Sequence, residues 1–255
     1  MVMKTLMDAR AGLVAVALTL TACSGLMGGP SPETYSAALA GPPRTEEDRG
    51  RDAARMTAGT LAFARVEPGD HVIDMIIGGG FFTRAFAAAV GPEGHVTAWQ
   101  PQEFVQFQAS YGEAVTAADA LANVDGVTSP IAAPVWPSGA DLVFTAQNYH
   151  DLHLDPFADD TARRVNAAVF AALKPGGHYV IVDHHSTAGS GLSAANALHR
   201  IDVEQVKREV QAAGFVLEAE SDLLERADDP LTANVFDGSI RGKTSQFMLR
   251  FRKPG

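Results

Sequence analysis

The chain has 255 residues, of which 46% are hydrophobic, and its 30 acidic and 20 basic residues give a formal net charge of -10. This length and hydrophobic content predict one α/β domain with a sizeable core and argue against a disordered chain. The acidic balance argues against binding to nucleic acid or to anionic lipid through charge, because both partners are themselves negative.

The first residues carry an export pattern. Lys4 and Arg10 precede an apolar run at residues 11–20, and Cys23 follows it. The run is shorter than the ~18 apolar residues of a membrane-spanning helix, which is typical of a signal-peptide core. The segment resembles a bacterial lipoprotein signal, which implies cleavage before Cys23 and a lipid on its sulfur. Because Ser24 follows, the resemblance implies an anchor in the outer membrane, facing the periplasm. An ordinary signal peptide with an incidental cysteine is the alternative.

We therefore expect three parts along the chain. Residues 1–22 are predicted to be a lipoprotein signal peptide, and residues 44–255 a single folded domain. The segment between them, residues 23–43, is rich in glycine, proline, serine and alanine. That composition is typical of a flexible tether between a lipid and a domain.

Helices and strands alternate along the predicted domain. Thr45 and Asp48 resemble a helix-capping pair, and the helix that they begin is expected to end near Arg65. The strand segments are continuous apolar runs, which is typical of a parallel sheet covered on both faces. Residues 246–251 instead alternate, which predicts an edge strand. The other predicted strands are 71–77, 95–100, 127–133, 141–147, 178–184 and 215–221. The later predicted helices are 82–90, 102–123, 157–173 and 200–213.

The end of the first strand is a candidate ligand-binding turn. Asp74 lies near the end of an apolar run, and Gly78, Gly79 and Gly80 follow. Glycines let a ligand approach the backbone closely, and the helix that begins after them offers free N–H groups. A carboxylate here repels the pyrophosphate of a dinucleotide but attracts an ammonium group, so S-adenosylmethionine is the better cofactor for this turn. A glycine-rich turn without a ligand is the alternative.

The end of the second strand offers a candidate ribose contact. Gln100 lies twenty residues after Gly80. A carboxylate about 20 residues beyond such glycines binds a ribose diol, and a glutamine can also donate and accept hydrogen bonds there. A surface glutamine without a ligand is the alternative.

Polar residues also follow two later strands. Ligands of such sheets bind beyond the carboxyl ends of the strands, so these residues are site candidates. His150 is a candidate general base, since histidine titrates near neutrality, and His184 is a second one. Asn148 and Tyr149 are expected to position the substrate or the charged end of a cofactor. For each of them, a hydrogen bond within a loop is the alternative.

Imidazole and carboxylate groups at these strand ends have the chemistry of zinc, manganese or iron ligands. No recognised spacing such as His-Glu-x-x-His occurs among them, so we predict a polar pocket and no metal. The residues concerned are His150, His153, His184 and His185, with Asp151 or Asp183.

Taken in order, these residues resemble a class I S-adenosylmethionine-dependent methyltransferase. The narrower resemblance is to predicted bacterial methyltransferases that carry secretion signals, and it covers about residues 48–254. It rests on the segments 55–56, 61–63, 68–70, 72–83, 90–96, 148–152, 173–177, 183–184, 198–202, 213–215 and 241–244.

The resemblance implies a Rossmann-like α/β fold with seven strands, in which the sheet is mostly parallel and the C-terminal edge strand is antiparallel. It assigns the methionine part of S-adenosylmethionine to Asp74 and the glycines 78–80, and the ribose to Gln100. Two positions differ from the family pattern. Ile76 stands where Asp-x-Gly-x-Gly-x-Gly has its first glycine, and Gln100 replaces the carboxylate that normally binds the ribose.

We expect an exported, lipid-anchored methyltransferase that acts on a small molecule or an envelope component by in-line displacement at the sulfonium methyl. Orientation and the exclusion of water are expected to do most of the catalysis. The alternative is a relative that keeps the fold and binds a ligand without catalysis. A nicotinamide oxidoreductase is disfavoured by Asp74 and by the missing last glycine of the dinucleotide pattern.

Overall fold

The computed structural model describes residues 29–255. The predicted signal peptide and the predicted lipidation site, Cys23, lie outside the described residues. Within residues 29–255, none of the helices has both the length and the apolar character that a membrane crossing requires.

Seven strands form one mixed sheet. They are β1 (His71–Met75), β2 (His95–Pro101), β3 (Val124–Ser129), β4 (Ala140–Ala146), β5 (Leu173–His184), β6 (Val216–Ser221) and β7 (Gln246–Arg252). Their order across the sheet is β3-β2-β1-β4-β5-β7-β6. β7 runs antiparallel to both of its neighbours, and the other neighbouring pairs are parallel. The predicted α/β fold, with a mostly parallel seven-stranded sheet and an antiparallel C-terminal strand, is confirmed.

The C-terminal strand lies inside the sheet and not at its edge, where it was predicted. β7 pairs with β5 on one side and with β6 on the other, so β6 is the edge strand at this end of the sheet and β3 is the one at the other end. The alternating pattern of β7 comes partly from Arg250, which is buried. Its Nε donates to Glu218 Oε2 at 2.7 Å. A buried, paired arginine therefore produces the alternation of polar and apolar residues that is typical of a half-exposed strand.

The helices are α1 (Ser36–Ala40), α2 (Glu46–Arg55), α3 (Thr57–Ala64), α4 (Phe81–Val90), α5 (Gln102–Phe107), α6 (Ala109–Asp119), α7 (Thr161–Ala172), α8 (Ala195–Leu198) and α9 (Val203–Ala212). Two predicted helices are each divided in two. Met56 adopts a left-handed conformation with φ 45° between α2 and α3, and Gln108 is extended between α5 and α6. β3 begins before its predicted start because Val124 already pairs with Val96.

The end of the predicted tether is folded onto the domain. Pro32–Tyr35 forms a 3₁₀ turn that continues into α1, and Tyr35 and Leu39 are buried. The Tyr35 hydroxyl donates to the Val66 carbonyl at 2.7 Å. Apolar contacts of these two side chains with the core outweigh the linker-like composition, so the tether prediction for residues 32–40 was wrong.

The core has one apolar layer on each face of the sheet. Successive strand residues point to opposite faces, so Val72 packs in one layer and Ile73 in the other, both fully buried. This burial on both sides explains the continuous apolar runs of the parallel strands. The carboxyl ends of β1, β2, β4 and β5 meet at one edge of the sheet, and polar side chains gather there.

The packing of the N-terminal segment predicts a measurable stability effect. Leu39→Ala should lower the free energy of unfolding by about 2 kcal/mol, because it leaves a cavity where a buried side chain packs. Urea denaturation of the purified chain checks this, with the exposed Thr34→Ala as the matched control, for which we expect no change. Equal stabilities of the two variants would mean that the segment is a free tether.

Candidate active site

A cavity of about 850 Å³ opens at this edge of the sheet. Helices α2 and α5, the loop after β4 and the irregular chain between β6 and β7 surround it. Most of the predicted site residues border it, namely Asp74, Gly78, Gly79, Gln100, Asn148, His150 and His184. Gly80 and Tyr149 do not. Residues from four strand ends are therefore brought together as the sequence predicts.

The turn after β1 has the backbone shape of a glycine-rich turn although its first glycine is replaced. Ile76, Gly78 and Gly80 all adopt positive φ, at 63°, 54° and 74°. Positive φ is unusual for a β-branched residue. The Ile76 side chain is buried in the apolar cluster that includes Trp99, and the Ile76 N–H donates to the Trp99 carbonyl at 2.8 Å. Core packing holds Ile76 in a conformation that a glycine would adopt freely.

Asp74 lies beneath this turn and is almost completely buried. Its Oδ2 accepts a hydrogen bond of 2.6 Å from the Thr83 hydroxyl in α4. Burial raises the pKa of Asp74 to about 7, against the opposing effect of the Thr83 hydrogen bond and of the Arg84 and Arg55 charges. A carboxyl group with this pKa gains from a cationic partner, because the partner favours the ionised form.

Gln100 ends β2 and is fully buried, so it is not a surface glutamine. Its Oε1 accepts from the Gly78 N–H at 3.0 Å, which ties β2 to the glycine turn. Its Nε2 has no hydrogen-bond partner among residues 29–255. Buried polar groups normally have a partner, and Gln100 is among the residues that border the cavity, so its amide nitrogen is an unsatisfied donor beside that space.

Asn148 supports the backbone of the same site. Its Nδ2 donates to the carbonyls of Ile76 at 3.0 Å and of Ala146 at 2.6 Å. These bonds connect the loop after β4 to the turn after β1. Asn148 borders the cavity, but its amide nitrogen is already hydrogen-bonded to these two backbone carbonyls.

His150 does not have the protonation state of a general base. Burial alone would lower its pKa, but the charges of Asp183 and Asp151 outweigh burial and raise the pKa of His150 to about 10. Its Nδ1 lies 2.9 Å from Asp183 Oδ1, and its Nε2 lies 3.2 Å from Asp151 Oδ1. At neutral pH the ring is an imidazolium held between two carboxylates. An imidazolium has no free lone pair to accept a proton, so this charge state disfavours the predicted base role, which stays a prediction.

His184 is the opposite case. Burial lowers the pKa of His184 to about 4, although Asp183 opposes this shift. Its Nδ1 lies 2.9 Å from the Thr244 hydroxyl. A neutral imidazole at the cavity can accept a proton, but the low pKa makes it a weak base.

Tyr149 points into the core and not into the cavity. The 3₁₀ turn His150–His153 begins directly after it, and successive residues of a helical turn point in different directions. The Tyr149 side chain is fully buried. Its hydroxyl donates to Glu209 Oε2 at 2.9 Å and accepts from Asn166 Nδ2 at 2.8 Å. The predicted substrate contact of Tyr149 was wrong, because packing in the core fixes this phenol.

Comparison with known proteins identifies the architecture. No protein-family model matches the chain, and no curated protein matches its sequence. A SAM dependent methyltransferase from Aquifex aeolicus superposes with a TM-score of 0.57 at 18% identity, over 87% of this chain and 97% of that chain. The [4+2]-cyclase SpnF superposes with a TM-score of 0.56 at 18% identity, over 79% of this chain and 81% of that chain. Aeropyrum pernix fibrillarin, in complex with natively bound S-adenosyl-L-methionine, superposes with a TM-score of 0.51 at 13% identity, over 78% of this chain and 73% of that chain. The chain has the fold of S-adenosylmethionine-dependent methyltransferases. Identities this low establish the fold alone.

The sequence analysis did not predict the aromatic residues that line one part of the cavity. Besides Phe81 and Phe82, which directly follow the glycine turn, five aromatic side chains border the cavity and are called the aromatic wall: Phe104, Phe107, Tyr111, Phe157 and Phe236. Two of them lie on α5, a short helix without a buried residue. Phe107 is 86% exposed. The sequence signal for this part of the cavity is a pair of aromatic residues that directly follow a strand end, on a helix too short to bury them. His199, at the end of α8, also borders the cavity and was not predicted.

The buried charge pair at the site predicts a large stability effect. Asp183→Ala should lower the free energy of unfolding by about 3–5 kcal/mol, since it leaves the His150 imidazolium and backbone N–H without their partner. Urea denaturation measures this loss. The exposed Asp159→Ala is the control and should change stability by less than about 0.5 kcal/mol. A loss below about 1 kcal/mol for Asp183→Ala would show that the pair is not buried as described.

Proposed function

We propose that the protein is an S-adenosylmethionine-dependent methyltransferase. The observation that carries the proposal is the unpaired, buried amide nitrogen of Gln100 beside the turn of Gly78 and Gly79. A Cβ atom built on either glycine would meet no atom within 4 Å, so there is open space directly above this turn. A ribose hydroxyl can accept from the Gln100 amide nitrogen, and the methionine part of the cofactor can occupy the open space above the glycines.

The residues around the turn have the chemistry that this cofactor requires. Asp74 is the partner for its ammonium group, the backbone at Gly78 and Gly79 lies against its methionine part, and Gln100 binds its ribose. When bound, the cofactor supplies an electrophilic methyl group on sulfonium. The methyltransferase from Aquifex aeolicus and the fibrillarin with bound S-adenosyl-L-methionine support the choice through their shared fold.

The aromatic wall supports a small, apolar or aromatic acceptor. The cavity volume lies in the range of about 300–1,000 Å³ that is typical of small-molecule sites. Phe104 and Phe157 stack with 6.1 Å between their ring centroids and 25° between their planes. This arrangement offers π-faces to a flat ligand. Positioning of the acceptor and exclusion of water by this wall are the main contributions to rate.

A second candidate function is ligand binding without methyl transfer. The imidazolium state of His150 favours it, because an acceptor that must lose a proton finds no strong base there. The [4+2]-cyclase SpnF also shows that this fold occurs in a protein with another activity. Cofactor binding without turnover on aromatic acceptors would favour this candidate.

We further propose that the protein is exported and anchored through a lipid on Cys23, on the periplasmic side of the outer membrane. The basic residues, short apolar run and cysteine of the first 23 residues support this. The proposal concerns location only, and the cofactor site does not depend on it.

Cofactor binding has a predicted pH dependence. Because burial raises the pKa of Asp74 to about 7, its carboxyl is neutral below pH 7 and ionised above it. The affinity for S-adenosylmethionine should therefore rise between pH 6 and pH 8, as the carboxylate that pairs with the ammonium forms. Asp74→Asn should lose this dependence and bind roughly tenfold more weakly at pH 8. Isothermal titration calorimetry of the purified chain measures both.

The exposed Asp125→Asn, at the far end of the sheet, is the matched control and should behave as the wild type. Absence of saturable binding to the wild type at millimolar ligand would reject the cofactor. Unchanged binding by Asp74→Asn would reject the role of Asp74.

Lipid attachment is tested in a bacterial host. The wild type should incorporate radiolabelled palmitate and fractionate with the outer membrane, and Cys23→Ala should do neither. Cys23 is the single cysteine of the chain, so the label has one thiol site. Equal labelling of the wild type and Cys23→Ala would contradict the anchor.

A further inference from the structure

Two histidines and one aspartate converge at the wall of the cavity. His150 and Asp151 begin the 3₁₀ turn after β4, and His199 ends α8. One ligand atom from each residue can be chosen so that all three atoms lie within 4.8 Å of one another. His150 Nε2 lies 3.2 Å from Asp151 Oδ1, and His199 Nδ1 lies 3.9 Å from the same oxygen. The two imidazole rings are nearly perpendicular, at 84°, with 5.4 Å between their centroids.

Two imidazoles and one carboxylate on one side of an ion are a common ligand set for divalent transition metals. Zinc, manganese, iron and cobalt accept this mixture of nitrogen and oxygen atoms. All three residues border the cavity, so an ion bound to them would have its remaining positions directed toward that space. A site with three protein ligands and open positions is the arrangement that binds exchangeable ligands.

A second, independent feature supports the same site. Asp183 is fully buried, and its Oδ1 lies 2.9 Å from His150 Nδ1. A carboxylate on one ring nitrogen keeps the proton there and leaves the other nitrogen as the metal ligand. Asp183 Oδ2 also accepts from the His150 N–H at 2.7 Å, so ring and backbone are both fixed. The donor atom of His150 is thereby oriented toward Asp151 and His199.

The charges around His150 also suit a cation. Asp183 and Asp151 lie on opposite sides of one imidazole. A divalent ion bound at His150 Nε2 would offset the negative charge of both carboxylates.

We propose that His150, Asp151 and His199 bind one divalent transition-metal ion, with Asp183 holding the His150 ring in position. A nitrogen, oxygen or sulfur atom of a ligand in the cavity would complete the coordination. The proposal goes beyond the proposed methyl transfer, because the glycine turn and Gln100 are not among the metal ligands. Binding of S-adenosylmethionine in the presence of a chelator tests the proposed function separately.

The test is metal titration of the full chain, without a polyhistidine tag, after treatment with a chelator. Calorimetry with Zn²⁺, Mn²⁺ and Co²⁺ should show one saturable site for at least one of these ions. Bound Co²⁺ should also give visible absorption bands of a low-symmetry site with imidazole ligands. His199→Ala should weaken binding about 10- to 100-fold and change these bands, and Asp183→Asn should weaken it by a similar factor.

His153→Ala is the matched control. His153 lies in the same 3₁₀ turn, but its Nε2 is 3.0 Å from Glu209 Oε2 and it does not border the cavity. This variant should bind metal as the wild type does. Circular dichroism and thermal melting establish that each variant is folded. Absence of saturable binding for all three ions would overturn the proposal, as would unchanged affinity and unchanged Co²⁺ bands in folded His199→Ala.

Discussion

The polar half of the cavity depends on the buried carboxylate of Asp183. It accepts from the backbone N–H of His150 at 2.7 Å, from His150 Nδ1 at 2.9 Å and from the N–H of His184 at 2.7 Å. A buried carboxylate is expensive unless charge and hydrogen bonds compensate for its lost hydration. Here the compensation comes from His150 in the neighbouring loop and from the next backbone N–H of β5, so the Asp183 carboxylate and the conformation of the turn after β4 stabilise each other. Asp183 and Asp151 together raise the pKa of His150 to about 10.

The other half of the cavity depends on amide side chains that brace the backbone. Gln100 accepts from Gly78, and Asn148 donates to the Ile76 carbonyl, so the turns after β1, β2 and β4 are connected. These residue types were predicted as ligand contacts, and the structure gives them a supporting role as well. Gln100 and Asn148 differ in whether their amide nitrogens still lack a hydrogen-bond partner. The Asn148 amide nitrogen is used within the protein, whereas the Gln100 amide nitrogen has no partner among residues 29–255.

Local patterns predicted the fold and the glycine turn that borders the cavity, but not the features that depend on distant contacts. The strand, carboxylate and glycines around Asp74 are contiguous, and a sequence shows them directly. The approach of His199 to His150 depends on how α8 packs, and no spacing predicts it. The protonation of His150 depends on Asp183, which is 33 residues away along the chain. The orientation of Tyr149 depends on Glu209 in α9. Residue type therefore indicated which strand ends border the cavity, and packing decided which side chains face it.

Ile76 is the clearest departure from the family pattern, and its energetics explain how the turn tolerates it. A left-handed conformation costs a β-branched residue roughly 1–2 kcal/mol compared with a relaxed one. Burial of an isoleucine side chain contributes about 1.5–3 kcal/mol in the opposite direction, and Ile76 is 3% exposed. The two effects are of similar size, so the turn keeps its backbone shape without a glycine. The open space lies over Gly78 and Gly79. Burial of the Ile76 side chain in the core thus offsets the backbone strain at position 76, and the open space over Gly78 and Gly79 is kept.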